Sequence, residues 1–165
     1  MSVVNGNLTI AGQLFVQQSG GVLPGASVGD AQCNGSSPIT AQKLYHQYMP
    51  KWSQPYGSSA TSERRGIYIS RAAGTLVDFK VTNIVAATGP DTVTVDLYAN
   101  GASVLAAPVT LSSSTAAFSI NAPTIMTSAY AAGTVFEVVI TTNHTSGTLP
   151  QGIMAEPVFR ETSGT

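Results

Sequence analysis

The alternation of apolar and polar positions is clearest between residues 92 and 111. Val93, Val95 and Leu97 fall on one face, with Thr94, Asp96 and Tyr98 on the other. That period of two marks a strand with one buried face. Asn100-Gly101 follows, a pair that tolerates the positive φ angles a tight hairpin needs. The second arm runs through Val104, Leu105, Val109 and Leu111, with Pro108 inside it. Proline cannot donate to a ladder, so this arm is expected at a sheet edge or with a break. Residues 134–142 alternate most regularly: Phe136, Val138 and Ile140 form the expected core face, opposite Val135, Glu137, Val139 and Thr141. Residues 66–71 alternate as well. In 75–85 the phase slips between Leu76 and Phe79, Val81 and Ile84, which predicts a β-bulge. A short strand over 116–120, a weak helical turn over 125–130 and a closing strand over 152–160 complete the pattern. About seven or eight short strands separated by Gly, Pro, Asn and Ser predict an all-β fold, an antiparallel β-sandwich or jelly-roll body.

Residues 1–57 differ. Leu8, Ile10, Leu14 and Phe15 lie among glycines, too few for a domain and consistent with an extended N-terminal arm. Such a segment suits wrapping on identical copies, as in a trimeric fibre stem; the simpler reading is a loosely ordered arm. Ser36-Ser37-Pro38 opens a helical turn or two over 39–44. Pro50 and Pro55 then enforce an extended path. Tyr45, Tyr48, Trp52 and Tyr56 crowd this connector. They suit either a sugar-stacking platform or apolar anchors on a neighbouring subunit or on the domain beneath. The lack of an accompanying carboxylate cluster favours anchoring. The body is expected over 58–165. Glu63-Arg64-Arg65 stands just before its first expected strand, where it is either a solvated turn or a source of ion pairs between subunits.

Composition narrows the functional classes. Charged residues make up 9% of the 165 positions, against about 25% in typical soluble domains. The polar surface rests on Ser, Thr, Asn and Gln, as suits extracellular or virion proteins and subunits buried in oligomers. The net charge is −1 and Arg64-Arg65 is the longest basic run, so nucleic-acid binding by counterion release is not expected. The single cysteine, Cys33, forms no internal disulfide, and His46 and His144 lack metal-site spacing. No apolar run is long enough for a membrane helix, so no membrane partner is expected. The first residues lack the basic end and apolar core of a signal peptide, which predicts synthesis in a cytoplasm and, if the product is exported, another route out, such as lysis. The sequons at Asn7, Asn34 and Asn143 read as chance matches.

Candidate chemistry is sparse. Asp78 and Asp96 are expected on adjacent strands, where they would meet on one face, yet Lys80 and Arg71 are equally placed to neutralise them. His144 lies in a Thr/Asn/Ser turn with no nucleophile motif nearby. Asp91, after Gly89-Pro90, is one carboxylate and so at most a weak cation ligand. There is no phosphate-binding glycine loop. No enzymatic activity, cofactor or metal is expected.

The runs GDAQ…ITAQKLYHQY…SQPYG…SERRGIYISR, TVTVDLYANGASVL…PVTL and AGTVFEVVITTNHTSGTLPQGI resemble a group of small proteins of tailed bacteriophages and prophages. Those are virion structural components: capsid decoration (cement) proteins, or short head or tail fibres. The resemblance spans residues 29–161, and none of its motifs is catalytic. It implies a β-sandwich with an N-terminal arm, a homotrimer, and a place on the outer capsid surface of a virion with the major capsid protein as partner. Leu8, Ile10, Leu14, Phe15, Tyr45, Tyr48, Trp52, Tyr56, Glu63, Arg64 and Arg65 are then the expected capsid or inter-subunit contacts. The alternative is a fibre or receptor-binding module that takes a host glycan on loops 87–91 and 143–149.

Overall fold

The computed structural model describes residues 45–162. Among these residues, ten strands form two five-stranded sheets. In the first sheet β1 (Tyr45–Tyr48), β10 (Met154–Thr162), β4 (Gly74–Thr82) and β8 (Ala129–Tyr130) lie in that order, and β2 (Trp52–Ser53) also pairs with β10. In the second, β3 (Glu63–Ile69), β9 (Val135–Asn143), β5 (Thr92–Ala99) and β6 (Ala102–Ser103) are consecutive, with β7 (Val109–Leu111) beside β5. Every pairing is antiparallel. The fold is an all-β sandwich, and no helix occurs among the described residues.

The alternation read in the sequence becomes the core. Val93, Val95 and Leu97 of β5 and Phe136, Val138 and Ile140 of β9 are buried. From the opposite sheet Leu76, Phe79 and Val81 of β4 and Phe159 of β10 join the same cluster. The rings interlock across the layers: Phe136 and Phe159 are 4.4 Å apart, and Tyr68 and Phe159 4.8 Å. Leu76 and Phe79 are three positions apart, which a regular strand would send to opposite faces. Val158 pairs with Asp78 and Phe159 with Leu76, so Val77 is an extra residue in β4. This is the expected bulge. It lets both neighbours point inward and leaves Val77 exposed.

Asn100 and Gly101 have φ of 49° and 87°, the two positive angles of a two-residue hairpin whose twist matches the strands. The second arm is split as Pro108 suggested: β6 pairs with Tyr98 and Ala99, and β7 with Val93–Val95, while Pro108 sits in the break.

Three expectations are corrected. β1 and β2 lie upstream of the expected boundary at residue 58, yet they pair along β10, so residues 45–53 belong to the sandwich. Strands this short, separated by Pro50, show too little alternation to be recognised. β3 starts at Glu63 rather than at 66, because β9 offers partners from Val135 to Ile140. Glu63-Arg64-Arg65 is therefore in a strand and not in an entrance turn. Neither a strand at 116–120 nor a helical turn at 125–130 forms. Residues 112–128 instead make a strap across one flank. Phe118 N–H donates to Asn83 O and Asn121 pairs with Val81 beside β4. The chain then crosses to the other sheet, where Ala106 N–H bonds Thr124 O and Met126 N–H bonds Val104 O. It returns to β4 as Leu76 N–H bonds Ser128 O. Backbone that would be an open edge is thereby satisfied by strap backbone.

Candidate functional site

Leu8, Ile10, Leu14 and Phe15 lie outside the described residues, as does the helical turn expected over 39–44. The connector residues do not form one surface. Tyr45 lies in β1 through its backbone. Tyr48 is half-buried and packs 5.6 Å from the Tyr68 ring. Trp52 is buried in the core, 4% exposed. Tyr56 is exposed. Of the alternatives for the connector, the anchoring on the domain beneath holds for two of the four rings: pairing with β10 turns Trp52 inward and brings Tyr48 against the core, and Tyr56 is left facing solvent.

The charged triplet is paired within the chain. Arg64 donates from Nε and Nη2 to both oxygens of Glu137, at 3.0 and 2.6 Å, the two-pronged geometry that guanidinium and carboxylate share. Its guanidinium carbon also lies 5.4 Å from the centre of the Tyr98 ring. The hydrogen bond from Arg64 lowers the Glu137 carboxyl, against an opposing effect of burial. Arg65 pairs with Glu63 at 2.6 Å. The strand register that sets Gly66 opposite Glu137 puts Arg64 one diagonal step away, so these charges find partners without a second subunit.

Asp78 and Asp96 do not meet, because β4 and β5 lie in different sheets. Asp78 pairs with Lys80 at 3.0 Å. Asp96 is buried and accepts from Leu97 N–H and the Ser103 hydroxyl, at 2.7 and 2.8 Å, which fastens the hairpin. Glu161, which carried no signal in the sequence, is 1% exposed. It accepts from Tyr68 Oη at 2.8 Å and from Ala72 N–H. Burial first, and this hydrogen bond second, push the Tyr68 phenol up.

Asp91 organises one end of the sandwich. Its side chain is fully buried. Oδ1 accepts three successive backbone N–H groups, from Thr145, Ser146 and Gly147 at 2.8, 3.1 and 3.1 Å. Oδ2 faces His144 Nδ1. Successive amides converging on one anion form a concave nest, here filled by the chain's own carboxylate. The two loops are also joined directly: Thr88 N–H bonds Thr148 O at 2.9 Å, and the Thr88 and Thr148 hydroxyls are 2.8 Å apart. A Cβ on Gly147 would stand 1.8 Å from Thr88 O, so only glycine permits this approach. With its oxygens committed to these donors, Asp91 is not a free cation ligand.

No protein-family model matches the sequence, and no curated protein matches it. Among solved structures, the chain is similar to one in a structure of infectious bursal disease virus, Gt strain, at 11% identity and a TM-score of 0.31. The similarity covers 73% of this chain and 37% of that one.

Burial raises the Asp91 carboxyl, but the Thr145, Gly147 and Ser146 amides and the His144 ring outweigh it and hold it well below the usual carboxylate range. For a depressed carboxyl the stabilisation is present above the ordinary value of 3.8 and is lost as pH falls below it toward the lower value of the fold. Hydrogen-exchange protection of the 145–147 amides should therefore hold at pH 5 and fall as acid is added below pH 3.8. Asp91→Asn keeps an acceptor oxygen but no charge. It should reduce protection at pH 5 and flatten the acid dependence; equal protection in both proteins would show that the charge does not hold the loop.

The remaining surface is distinctive for its apolar side chains. Phe118, Ile120 and Met126 of the strap are about 70% exposed. Between Asp96 and Glu137 the sequence has no charged residue and no histidine. That gap was the available sequence signal for this surface, and strand periodicity does not register it.

Proposed function

We propose that this chain is a structural virion protein without enzymatic activity: a decoration protein on the outer face of a phage head, where it bridges major capsid protein subunits as a homotrimer. One observation carries the structural role. The buried carboxylates, Asp91, Asp96 and Glu161, are each bound by donors of the chain's own loops and strands, while the outer surface is poor in charge and displays large apolar side chains. Titratable groups in this arrangement hold the scaffold together, and the surface is suited to contact. The sequence resemblance to phage virion proteins supplies the setting.

A decoration protein stabilises a lattice by burying area at many equivalent positions. At about 25 cal/mol per Å² of apolar surface, modest contacts sum to a large effect over a particle, less the free energy lost on association. The test is a quantitative protein stain of purified particles, scaled to the major capsid protein. One copy per capsid subunit, or one trimer per local threefold, is the expected result. A few copies per particle would instead assign the chain to a fibre and direct attention to host glycans, and absence from the particle would overturn the virion role.

A further inference from the structure

Asn100 and Gly101 are exposed at the tip of the β5–β6 hairpin. An asparagine followed by glycine carries its own reagents for a covalent change. The glycine nitrogen, with no side chain to shield it, attacks the asparagine Cγ. The bond from Cγ to the side-chain nitrogen breaks. The N–H proton passes through solvent to the departing NH2 group, which leaves as ammonia, and a five-membered succinimide remains. Water opens that ring at either carbonyl and gives aspartate or isoaspartate. In sum, an amide and water become a carboxylic acid and ammonia, with no oxidant or reductant.

The fold opposes ring closure in three ways. The first is the turn. With φ of 49° and 87°, Asn100 and Gly101 form the mirror-image turn whose first ψ is about +30°. In an L-residue that ψ directs the next nitrogen away from Cβ, so Asn100 must leave the turn before Gly101 N can reach Cγ. The second is the side chain. Val135 N–H donates to Asn100 Oδ1 at 2.9 Å, and Asn100 N–H donates to Val135 O at 2.9 Å, which ties Cγ to the start of β9. The third is the base of the hairpin, closed by Val104 N–H on Leu97 O at 2.9 Å and the Ser103 hydroxyl on Asp96 Oδ1 at 2.8 Å. Yet β6 is two residues long and exposed, so this hairpin opens at far less cost than the sandwich unfolds.

We infer that Asn100 is a self-modifying site gated by this hairpin: the closed turn blocks succinimide formation, and each opening permits it. The two products differ in consequence. Aspartate keeps the shape of asparagine and an acceptor for Val135 N–H. It also has a cation at hand, since Arg64 Nη2 lies 3.6 Å from where a Cβ on Gly101 would stand. Isoaspartate routes the main chain through the former side chain and adds a carbon to a two-residue turn. It cannot restore the register of Tyr98 with Ser103 and Ala99 with Ala102, so the change is one-way. The site depends on the folded chain alone and is independent of the virion role.

The test is peptide mapping by mass spectrometry on the full chain after incubation in mildly alkaline buffer, folded and in urea. In urea Asn100 should react as fast as the other two Asn-Gly pairs, Asn5-Gly6 and Asn34-Gly35. In the folded chain it should react at least about tenfold more slowly than in urea. Equal rates in the two states overturn the gate. Ser103→Ala removes the hydroxyl that fastens the hairpin and should speed the folded-state reaction severalfold, while hydrogen-exchange protection of Val138 and Ile140 stays unchanged. An unchanged rate, or a rate that rises only as Val138 and Ile140 lose protection, overturns the hairpin as the gate. Isoaspartyl chains separated by chromatography should lack protection at Val104; protection kept there overturns the one-way change.

Discussion

Phe159→Ala should lower the free energy of unfolding by about 3–5 kcal/mol, among the largest losses expected from a single truncation of a described residue. Phe159 has no exposed surface. It lies at the point where both sheets meet, with ring centres of Phe136 at 4.4 Å, Tyr68 at 4.8 Å and Tyr130 at 5.8 Å. These neighbours come from β9, β3 and β8, three elements that cannot collapse together onto one vacated site. The loss therefore includes a cavity as well as the missing transfer of the ring from water. Small domains have about 5–15 kcal/mol in total, so the variant should unfold at markedly lower denaturant. Urea titration followed by far-ultraviolet circular dichroism measures it. A change below about 1 kcal/mol would mean that the sheets repack around the gap and that the ring cluster is not the centre of the core.

Trp52→Ala should lose about as much, roughly 3–5 kcal/mol, through a different element. Trp52 is in β2, opposite Ala155 of β10, and is 4% exposed. It is also the one tryptophan in the chain, so its fluorescence reports on the fold directly: emission should be blue-shifted in the native state and move to the red on unfolding. The variant separates the two roles weighed for the connector. Under the proposed virion role, a contact residue would give a folded protein that fails to bind particles. A core residue gives a protein that binds as long as it is folded and loses binding in proportion to the unfolded fraction. Trp52→Phe, which keeps an aromatic ring in the layer, should retain most of the stability and bind normally. A stable, folded Trp52→Ala protein with binding lost would overturn the core assignment.

The same residue shows how sequence and structure divide the account. Trp52 follows Pro50 in a short, proline-rich connector, and its own strand is two residues long. Two residues cannot display a period. Its burial depends on β10, about a hundred positions away in the chain, and no local pattern reports that pairing. Tyr48 is drawn against Tyr68 for the same reason. Arg64 likewise resembled a charge free to meet another subunit, until the register of β3 on β9 set it beside Glu137.

The candidate surfaces were less legible than the fold. Asp91 was visible as a carboxylate in a Gly-Pro turn, and residues 143–147 as another turn. That three amides of the second turn converge on the carboxylate of the first follows from which strand ends are adjacent at that end of the sandwich. The strap was misread as a strand and a helical turn because it carries apolar residues at intervals. Its actual course is dictated by backbone donors and acceptors on two different sheets, at Asn83, Val81, Val104 and Leu76. Phe118 is exposed because that course fixes its φ, against the usual tendency of a phenylalanine to be buried.

By itself the sequence determined the all-β class, the Asn100-Gly101 hairpin, the core faces of β5 and β9, the break at Pro108 and the bulge that realigns Leu76 with Phe79. Each follows from steric preferences and burial acting over a few consecutive residues, so the information is local. Only the tertiary structure decided the burial of Trp52 and Glu161, the filling of the amide nest by Asp91, the pairing of Arg64 with Glu137 and the outward setting of Phe118. Each of these is a contact between segments distant in the chain, fixed by which strands become neighbours and in what register, and that choice is made by the packing of the whole sandwich.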